Sequence, residues 1–377
     1  MASSFTLVHT ADLHLDLPVQ GWKDAERLAE RRLDYRSTFR RIIDLVQERE
    51  AAFLVIAGDF LEHGYVDRST LDFVQAELDR IPDTRVIVAP GNHDPWRPDS
   101  CYRTIRWPES VHILSGEWEE HVFPEYDLYL YGKGFTDFVE REKSLPTLRG
   151  DGGRRLLVAH GTLLEQEAVT DYFPLLMPEL APLELDYVAL GHIHQPATRR
   201  LDNERRTWIR YPGSPEALRW KETGERTVTV TTWDESGVRL EQVPVHSRRY
   251  EVEMVDVEGC ETDRQVAAFI AGNIPPGQER HQCLRFILQG ERPPETEFSP
   301  DRIAAELKAE GFFYVECLDR SVPGFDLERL QAGDGLVAAY IRRMEKKMET
   351  ASPEERDILQ AALHKGLALL MAEVESG

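Results

Sequence analysis

Short apolar runs that stop abruptly at Gly, Asp, Asn or His alternate, from residue 5 to about 245, with charged stretches of helical period. Phe5-Thr6-Leu7-Val8, Phe53 to Ala57, Arg85 to Ala89, Leu128 to Tyr131, Arg155 to Ala159, Tyr187 to Leu190 and Thr207 to Tyr211 predict strands. Ala25 to Arg49 and Arg68 to Arg80 predict amphipathic helices. Thr227 to Thr232 and Val238 to Val245, joined through Asp234-Glu235-Ser236-Gly237, predict a hairpin. The balance is α/β with a substantial antiparallel share.

After Arg248-Arg249 the pattern changes. Tyr250 to Val257, Cys283 to Leu288 and Phe312 to Leu318 predict strands, and Asp263 to Ala271 and Pro300 to Glu310 predict helices, together one small α+β unit. Gly335 to Thr350 and Pro353 to Glu375 predict two further helices. The second sets Ile358, Leu359, Ala362, Leu363, Leu367, Leu370 and Met371 on one face, a stripe that docks on its own chain or receives a partner helix. The expected division is 1–247, 248–322 and 323–377, and neither an internal repeat nor a low-complexity tract is visible.

Length and composition narrow the class. A chain of 377 residues suits two or three domains, and 41% hydrophobic residues exclude wholesale disorder. No apolar run approaches the roughly 20 residues that a bilayer requires. Phe5 to Val8 is too short for a signal-peptide core, so the expectation is a cytoplasmic protein without membrane contact. Cys101, Cys260, Cys283 and Cys317 lie far apart, which predicts buried thiols rather than a disulfide framework or a zinc ribbon. With 45 Lys and Arg against 67 Asp and Glu, the formal charge is −22. Phosphate chemistry must then be confined to a local patch or to bound metal.

Five predicted strands end in turns that carry oxygen or imidazole donors. The turns are Asp12-Leu13-His14, Gly58-Asp59, Gly91-Asn92-His93-Asp94, His160-Gly161 and Gly191-His192-Ile193-His194. Each alone is ordinary turn chemistry. Sites in open α/β sheets form beyond the carboxyl ends of strands, so the five can converge on one rim. Residues i and i+2 of an extended segment share a side, which lets Asp12 with His14, and His192 with His194, point into one cavity. Carboxylate, carboxamide and imidazole donors without thiolate suit Mn²⁺, Fe²⁺ or Zn²⁺. Two such ions roughly 3.5–4 Å apart need an anionic bridge, for which Asp59 is placed. Glycines 58, 91, 161 and 191 are expected to let backbone pass close to the ions.

In this order the turns resemble the calcineurin-like metallophosphoesterase superfamily. Ala11-Asp12-Leu13-His14-Leu15-Asp16 and Tyr211-Pro212-Gly213-Ser214-Pro215-Glu216 resemble its SbcD-type DNA repair exonucleases, in particular the YhaO-like branch. The resemblance implies a β-sandwich flanked by helices over residues 1–247, a small α+β capping and DNA-recognition domain over 248–322, and a C-terminal helical segment over 323–377 for partner docking. It implies that Asp12, His14 and His194 hold one metal and that Asn92, His160 and His192 hold the other, with Asp59 between them. His93 would act at the scissile phosphate, protonating the leaving oxygen or stabilising its charge, and Asp94 would orient His93 and raise its proton affinity. Phe60-Leu61-Glu62-His63 after Asp59 departs from the family pattern, which leaves the roles of Glu62 and His63 open, with a solvated turn as the plain alternative.

The implied reaction is phosphodiester hydrolysis by water that two metals, Mn²⁺ above all, activate for in-line attack. Eight basic against five acidic residues between Thr198 and Arg226, interleaved with Trp208, Tyr211 and Trp220, lean toward DNA as substrate. The candidate contacts are Arg199, Arg200, Arg205, Arg206, Arg210, Tyr211, Arg219 and Lys221. The implied partner is a coiled-coil ATPase of the SbcC type, and a homodimer is left open. A small-molecule phosphodiesterase or nucleotide pyrophosphatase, and a non-catalytic DNA-end-sensing scaffold, stay as alternatives.

Overall fold

The computed structural model describes residues 3–22, 24–149 and 152–375. These form two compact units, Met1–Arg249 and Tyr250–Gly377.

The first unit is built on two six-stranded sheets. One has the order β14-β13-β1-β2-β3-β4, from β1 (Phe5–Thr10), β2 (Phe53–Ile56), β3 (Arg85–Val88), β4 (Val111–Ile113) and the hairpin β13 (Thr227–Asp234) and β14 (Gly237–Pro244). The other has the order β11-β12-β10-β7-β6-β5, from β5 (Glu119–Phe123), β6 (Leu128–Lys133), β7 (Arg154–His160), β10 (Tyr187–Gly191), β11 (Ala197–Arg200) and β12 (Trp208–Tyr211). Between β7 and β10, β8 (Thr162–Leu164) and β9 (Pro174–Leu176) form a small separate ladder.

The period of two along each strand explains the layering. Phe5 and Leu7, Phe53 and Val55, Leu156 and Val158, and Tyr187 and Ala189 share one core, which is the space between the sheets. Their neighbours Val8, Leu54, Ile56, Val86 and Val88 face the opposite way. There they meet Tyr35, Phe39, Ile42 and Val46 of α1 (Ala25–Glu48) and Leu71, Val74 and Leu78 of α2 (Arg68–Leu78). Leu157, Ala159, Val188 and Leu190 cover the outer face of the second sheet with Phe173, Leu175 and Leu180. A strand apolar on both faces is what a covered parallel sheet demands, and β1, β2 and β3 pair in parallel, as do β7 and β10. Asp24 caps α1 by accepting from the amides of Glu26 and Arg27, and Asp67 caps α2 at Thr70.

In the second unit, strands Arg249–Asp256, Gln282–Gln289 and Tyr314–Asp319 form one sheet. Helices Asp263–Asn273 and Pro300–Ala309 pack on it through Val266, Ile270, Ile303 and Leu307. Helices Leu336–Met348 and Pro353–Glu375 meet around Ile341, Met344, Leu363 and Leu367, so part of the C-terminal apolar stripe is docked on its own chain, while Ile358 stays exposed. No helix among the described residues is long and apolar enough to cross a membrane. All four cysteines are free, and Cys260, Cys283 and Cys317 are buried.

The segment Ser214-Pro215-Glu216 is buried and ties α1 to the end of the first unit. Glu216 accepts from Arg31, from Thr38 Oγ1 at 2.6 Å and from the Ser247 amide at 2.6 Å, and Arg31 is wholly buried. Removing Glu216 takes a carboxylate from the buried Arg31, which keeps Asp34 at 3.2 Å and the Ala217 carbonyl, and leaves the Thr38 hydroxyl and the Ser247 amide without that acceptor. Glu216→Ala is therefore expected to lower stability by about 3 kcal/mol or more. Urea unfolding followed by tryptophan fluorescence checks this, and an unchanged midpoint would contradict it.

Candidate metal centre

The five turns beyond β1, β2, β3, β7 and β10 meet at one place. Their backbones are held in an uncommon form: Asp12, His14, Asp59 and His192 have φ of 53°, 45°, 49° and 102°. Side chains other than glycine avoid this region, and residues held there cluster at functional sites. Cross-loop bonds keep the turns in place: Asp12 N to Gly58 O at 3.0 Å, His14 N to Asp59 O at 2.9 Å and His192 N to Asp12 Oδ1 at 2.9 Å. The glycines allow close approach of the neighbouring turns and of His160. A Cβ on Gly58 would lie 2.1 Å from His160 Nδ1, and one on Gly191 1.9 Å from Ala57 O.

The ring nitrogens face one another in a telling way. His14 Nδ1 lies 3.2 Å from Glu62 Oε2, and His194 Nδ1 lies 3.0 Å from Glu222 Oε1. Each Nδ1 is the natural donor to its carboxylate, which leaves both Nε2 atoms as acceptors. Those two Nε2 atoms are 3.2 Å apart. His160 repeats the pattern. Its Nδ1 donates to Ala57 O at 2.8 Å, and its Nε2 faces two more acceptors, Asn92 Oδ1 at 3.1 Å and Asp59 Oδ2 at 3.3 Å. The same Asp59 Oδ2 is 3.5 Å from His14 Nε2. Lone pairs aimed at lone pairs repel unless a cation sits among them, so the donor set fits two divalent ions sharing Asp59.

Asp12 lies 4.0 Å from His194 Nε2, and Asp12, His14 and His194 form one ligand-capable group, with Asp12, Asp59 and His160 a second. His192 stands 5.4 Å from His160 between ring centroids and 4.6 Å from Tyr172. Thus all seven residues expected to hold metal come together.

The charges fit as well. Burial and the neighbouring His160 push His192 down to about 3, so it is a neutral imidazole. Burial disfavours charge on His160, but Asp59 outweighs it and lifts His160 to about 9, so a proton and a cation compete for one Nε2. Burial pushes the Asp59 carboxyl up, yet His160, His14 and His93 hold it far below the usual range. Asp12 is raised by burial.

Several expectations need correction. Asp94 does not hydrogen-bond His93. Its two oxygens accept from the amides of Gly91 at 2.7 Å, Phe60 at 2.7 Å and Leu61 at 2.9 Å and from Tyr102 Oη at 2.6 Å. It therefore ties the Asp59 turn to the Asn92 turn. The carboxylate beside His93 is Glu62, at 2.9 Å from Nδ1. Glu62 is buried and pairs with two histidines, so it is no solvated turn residue. His63 lies 3.6 Å from Asp99, with its ring against Phe138.

The basic stretch divides. Arg210 is buried on an interior strand, bonded to Thr229 Oγ1 at 2.9 Å and Thr198 Oγ1 at 2.8 Å. Tyr211 is core, its hydroxyl donating to Gly161 O and accepting from the Leu163 amide, both at 2.8 Å. Arg205 is half-buried and pairs with Asp186 at 2.8 Å. Buried in this way, Arg210 and Tyr211 are not presented to a nucleic acid backbone as the sequence suggested, while Arg205 is part-exposed. Arg199, Arg200, Arg206, Arg219 and Lys221 are exposed.

Glu62, Glu222 and Tyr172 were not assigned from the sequence. Glu222 sits within the basic stretch and counts there only as one acid among cations. The one local signal for Glu62 is its place three residues after Asp59.

The calcineurin-like phosphoesterase family profile matches residues 5–196, just over half of the chain. A metallophosphoesterase of Bacillus subtilis, YhaO, is 27% identical over 78% of this chain and 74% of its own. The DNA double-strand break repair protein Mre11 of Methanopyrus kandleri is 26% identical over 85% of this chain and 74% of its own. The D component of the SbcCD nuclease of Rhodobacter capsulatus is 23% identical over 58% of this chain and 64% of its own. The five donor-bearing turns all fall within the matched residues, and the chain belongs to the calcineurin-like phosphoesterase family.

Proposed function

We propose that this metallophosphoesterase is a Mn²⁺-dependent DNA nuclease of the cytoplasm that hydrolyses phosphodiester bonds in DNA repair. The observation that carries the reading is the convergence of His14, His160 and His194 Nε2 on and beside Asp59 Oδ2, with each Nδ1 held by a fixed acceptor, an arrangement that a pair of divalent cations completes. Asp12, His14 and His194 would hold one ion and Asn92, His160 and His192 the other, with Asp59 shared. Bound there, two divalent cations supply Lewis acidity toward phosphoryl oxygens and a hydroxide nucleophile drawn from water.

The chain's own residues do the rest. His93 is part-exposed at the rim, while its Nδ1 is fixed against Glu62. That leaves Nε2 to hold a proton for the departing oxygen. Although burial opposes charge on His93, Glu62 and Asp59 raise its proton affinity. Glu62 also fixes His14 and Glu222 fixes His194, so two carboxylates set the direction of imidazoles that would bind one ion. Asp94 keeps the Asp59 and Asn92 turns in register.

DNA as substrate is supported by the names of the relatives and by Arg199, Arg200, Arg206, Arg219 and Lys221, whose exposed charges can meet backbone phosphates. In this reading the α+β part of the second unit serves DNA recognition. The C-terminal helices would receive a coiled-coil ATPase through exposed positions such as Ile358 and Leu369.

Three outcomes test the proposal. End-labelled single- and double-stranded DNA is expected to be cut with Mn²⁺ and left intact with a chelator. Turnover of bis(p-nitrophenyl) phosphate with no DNA cleavage would instead indicate a small-molecule phosphodiesterase. His93→Gln is expected to lower the cleavage rate by about 10²–10⁴ with bound metal unchanged, as loss of a proton donor does. Full activity in that variant, or lost metal, would contradict its role. Glu62→Gln is expected to cost about 10–100-fold in rate or metal affinity, as removal of an orienting carboxylate does. Wild-type rate and metal affinity in that variant would return Glu62 to a structural role.

A further inference from the structure

A second cluster of imidazole and carboxylate lies away from the catalytic turns, where the two sheets of the first unit end. β4 is the edge strand of one sheet and β5 the edge strand of the other. Val111 and Ile113 pack toward the helices, so His112 between them faces the opposite side of its sheet. Phe123 packs into the core between the sheets, so His121 and Glu119, at two-residue spacing along β5, share that side. The three polar residues thus stand on the inner faces of the two edge strands, at the margin of the apolar core, where aliphatic residues would ordinarily close the sandwich.

Their geometry is one that an ion can enter. His112 Nε2 is 2.8 Å and His121 Nε2 3.1 Å from the same oxygen, Glu119 Oε2. The two rings are 4.1 Å apart between centroids. The ligand-capable atoms all lie within 4.8 Å of one another. A tetrahedral ion with bonds of about 2.0–2.1 Å spaces its ligands roughly 3.3 Å apart, close to this arrangement. Glu119 is fixed in place, because its other oxygen accepts from the Ser115 amide at 2.6 Å. All three side chains are part-exposed, so an ion has access and water can complete its coordination. Each imidazole can turn its Nε2–H to Glu119, so the cluster is stable with or without an ion.

The structure assigns a separate transition-metal site of the zinc class to His112, Glu119 and His121, joining the edges of the two sheets. Two imidazoles and one carboxylate favour Zn²⁺ over Mg²⁺ or Ca²⁺, and the site stands apart from the phosphoester chemistry. An ion held there would cross-link β4 to β5 and stabilise the sandwich by mass action, since the unfolded chain has no formed site.

The test uses full-length, tag-free protein stripped with chelator and titrated with Zn²⁺ alone. Wild type is expected to bind one equivalent more than the His112→Asn, His121→Asn double variant. Zn²⁺ is also expected to raise Tm by more in wild type than in Glu119→Gln. Mn²⁺-dependent phosphodiesterase activity is expected to be equal in all three, because none of these residues belongs to the catalytic cage. Should the double variant not fold, the chain carrying Asp59→Asn supplies the second measurement. It is expected to keep one tight equivalent of Zn²⁺, which His121→Asn then removes. Equal stoichiometry in wild type and double variant, or an equivalent in the Asp59→Asn chain that His121→Asn leaves untouched, would overturn the assignment.

Discussion

One oxygen organises the first unit: Asp59 Oδ2, 3.5 Å from His14 Nε2 and 3.3 Å from His160 Nε2. Around it the chain gathers acceptors whose hydrogens are committed elsewhere, to Glu62, Glu222 and the Ala57 carbonyl. A folded protein does not leave buried lone pairs opposed without compensation. The fold, the strained turns and the orienting carboxylates can all be understood as means of assembling this set and of making a pair of cations its natural complement.

Holding the set together carries a structural cost. Four of the converging residues adopt left-handed backbone, each conformation costing of order 1–3 kcal/mol and persisting only where the surroundings enforce it. The enforcement is visible. Asp94, deeply buried, receives hydrogen bonds from four backbone amides, those of Asp59, Phe60, Leu61 and Gly91, and from Tyr102. Burial raises the Asp94 carboxyl, as does Asp59, and those hydrogen bonds act in the opposite direction. The two sheets, with apolar residues on both faces, supply the rigid frame from which the turns project.

Much of this is legible in the chain alone. The strands that carry the turns show themselves as short apolar runs, and the donors stand immediately after them in the order the family requires. The fold class follows from the same alternation that places Leu7 between the sheets and Val8 against α1. What the sequence hid depends on direction rather than on position. Asp94 follows His93 along the chain but turns inward to the amides, while Glu62, thirty-one residues away, reaches His93. The φ of 49° at Asp59 belongs to a turn whose amides are held by the distant Asp94, so its direction could not be read from the local sequence. Arg210 and Tyr211 belong to a run rich in cations and aromatics, but β12 is an interior strand and buries them. Short strands such as β4 and β5, with His and Glu at inward positions, lack the apolar alternation that reveals the others.

The central claim is that Asp59 lies between two ions. Anomalous diffraction at the manganese edge, from crystals grown with Mn²⁺, addresses it directly. The account predicts two peaks, one beside Asp12, His14 and His194 and one beside Asn92, His160 and His192, with Asp59 in contact with both. A single peak, or a pair in which Asp59 touches neither ion, would contradict it.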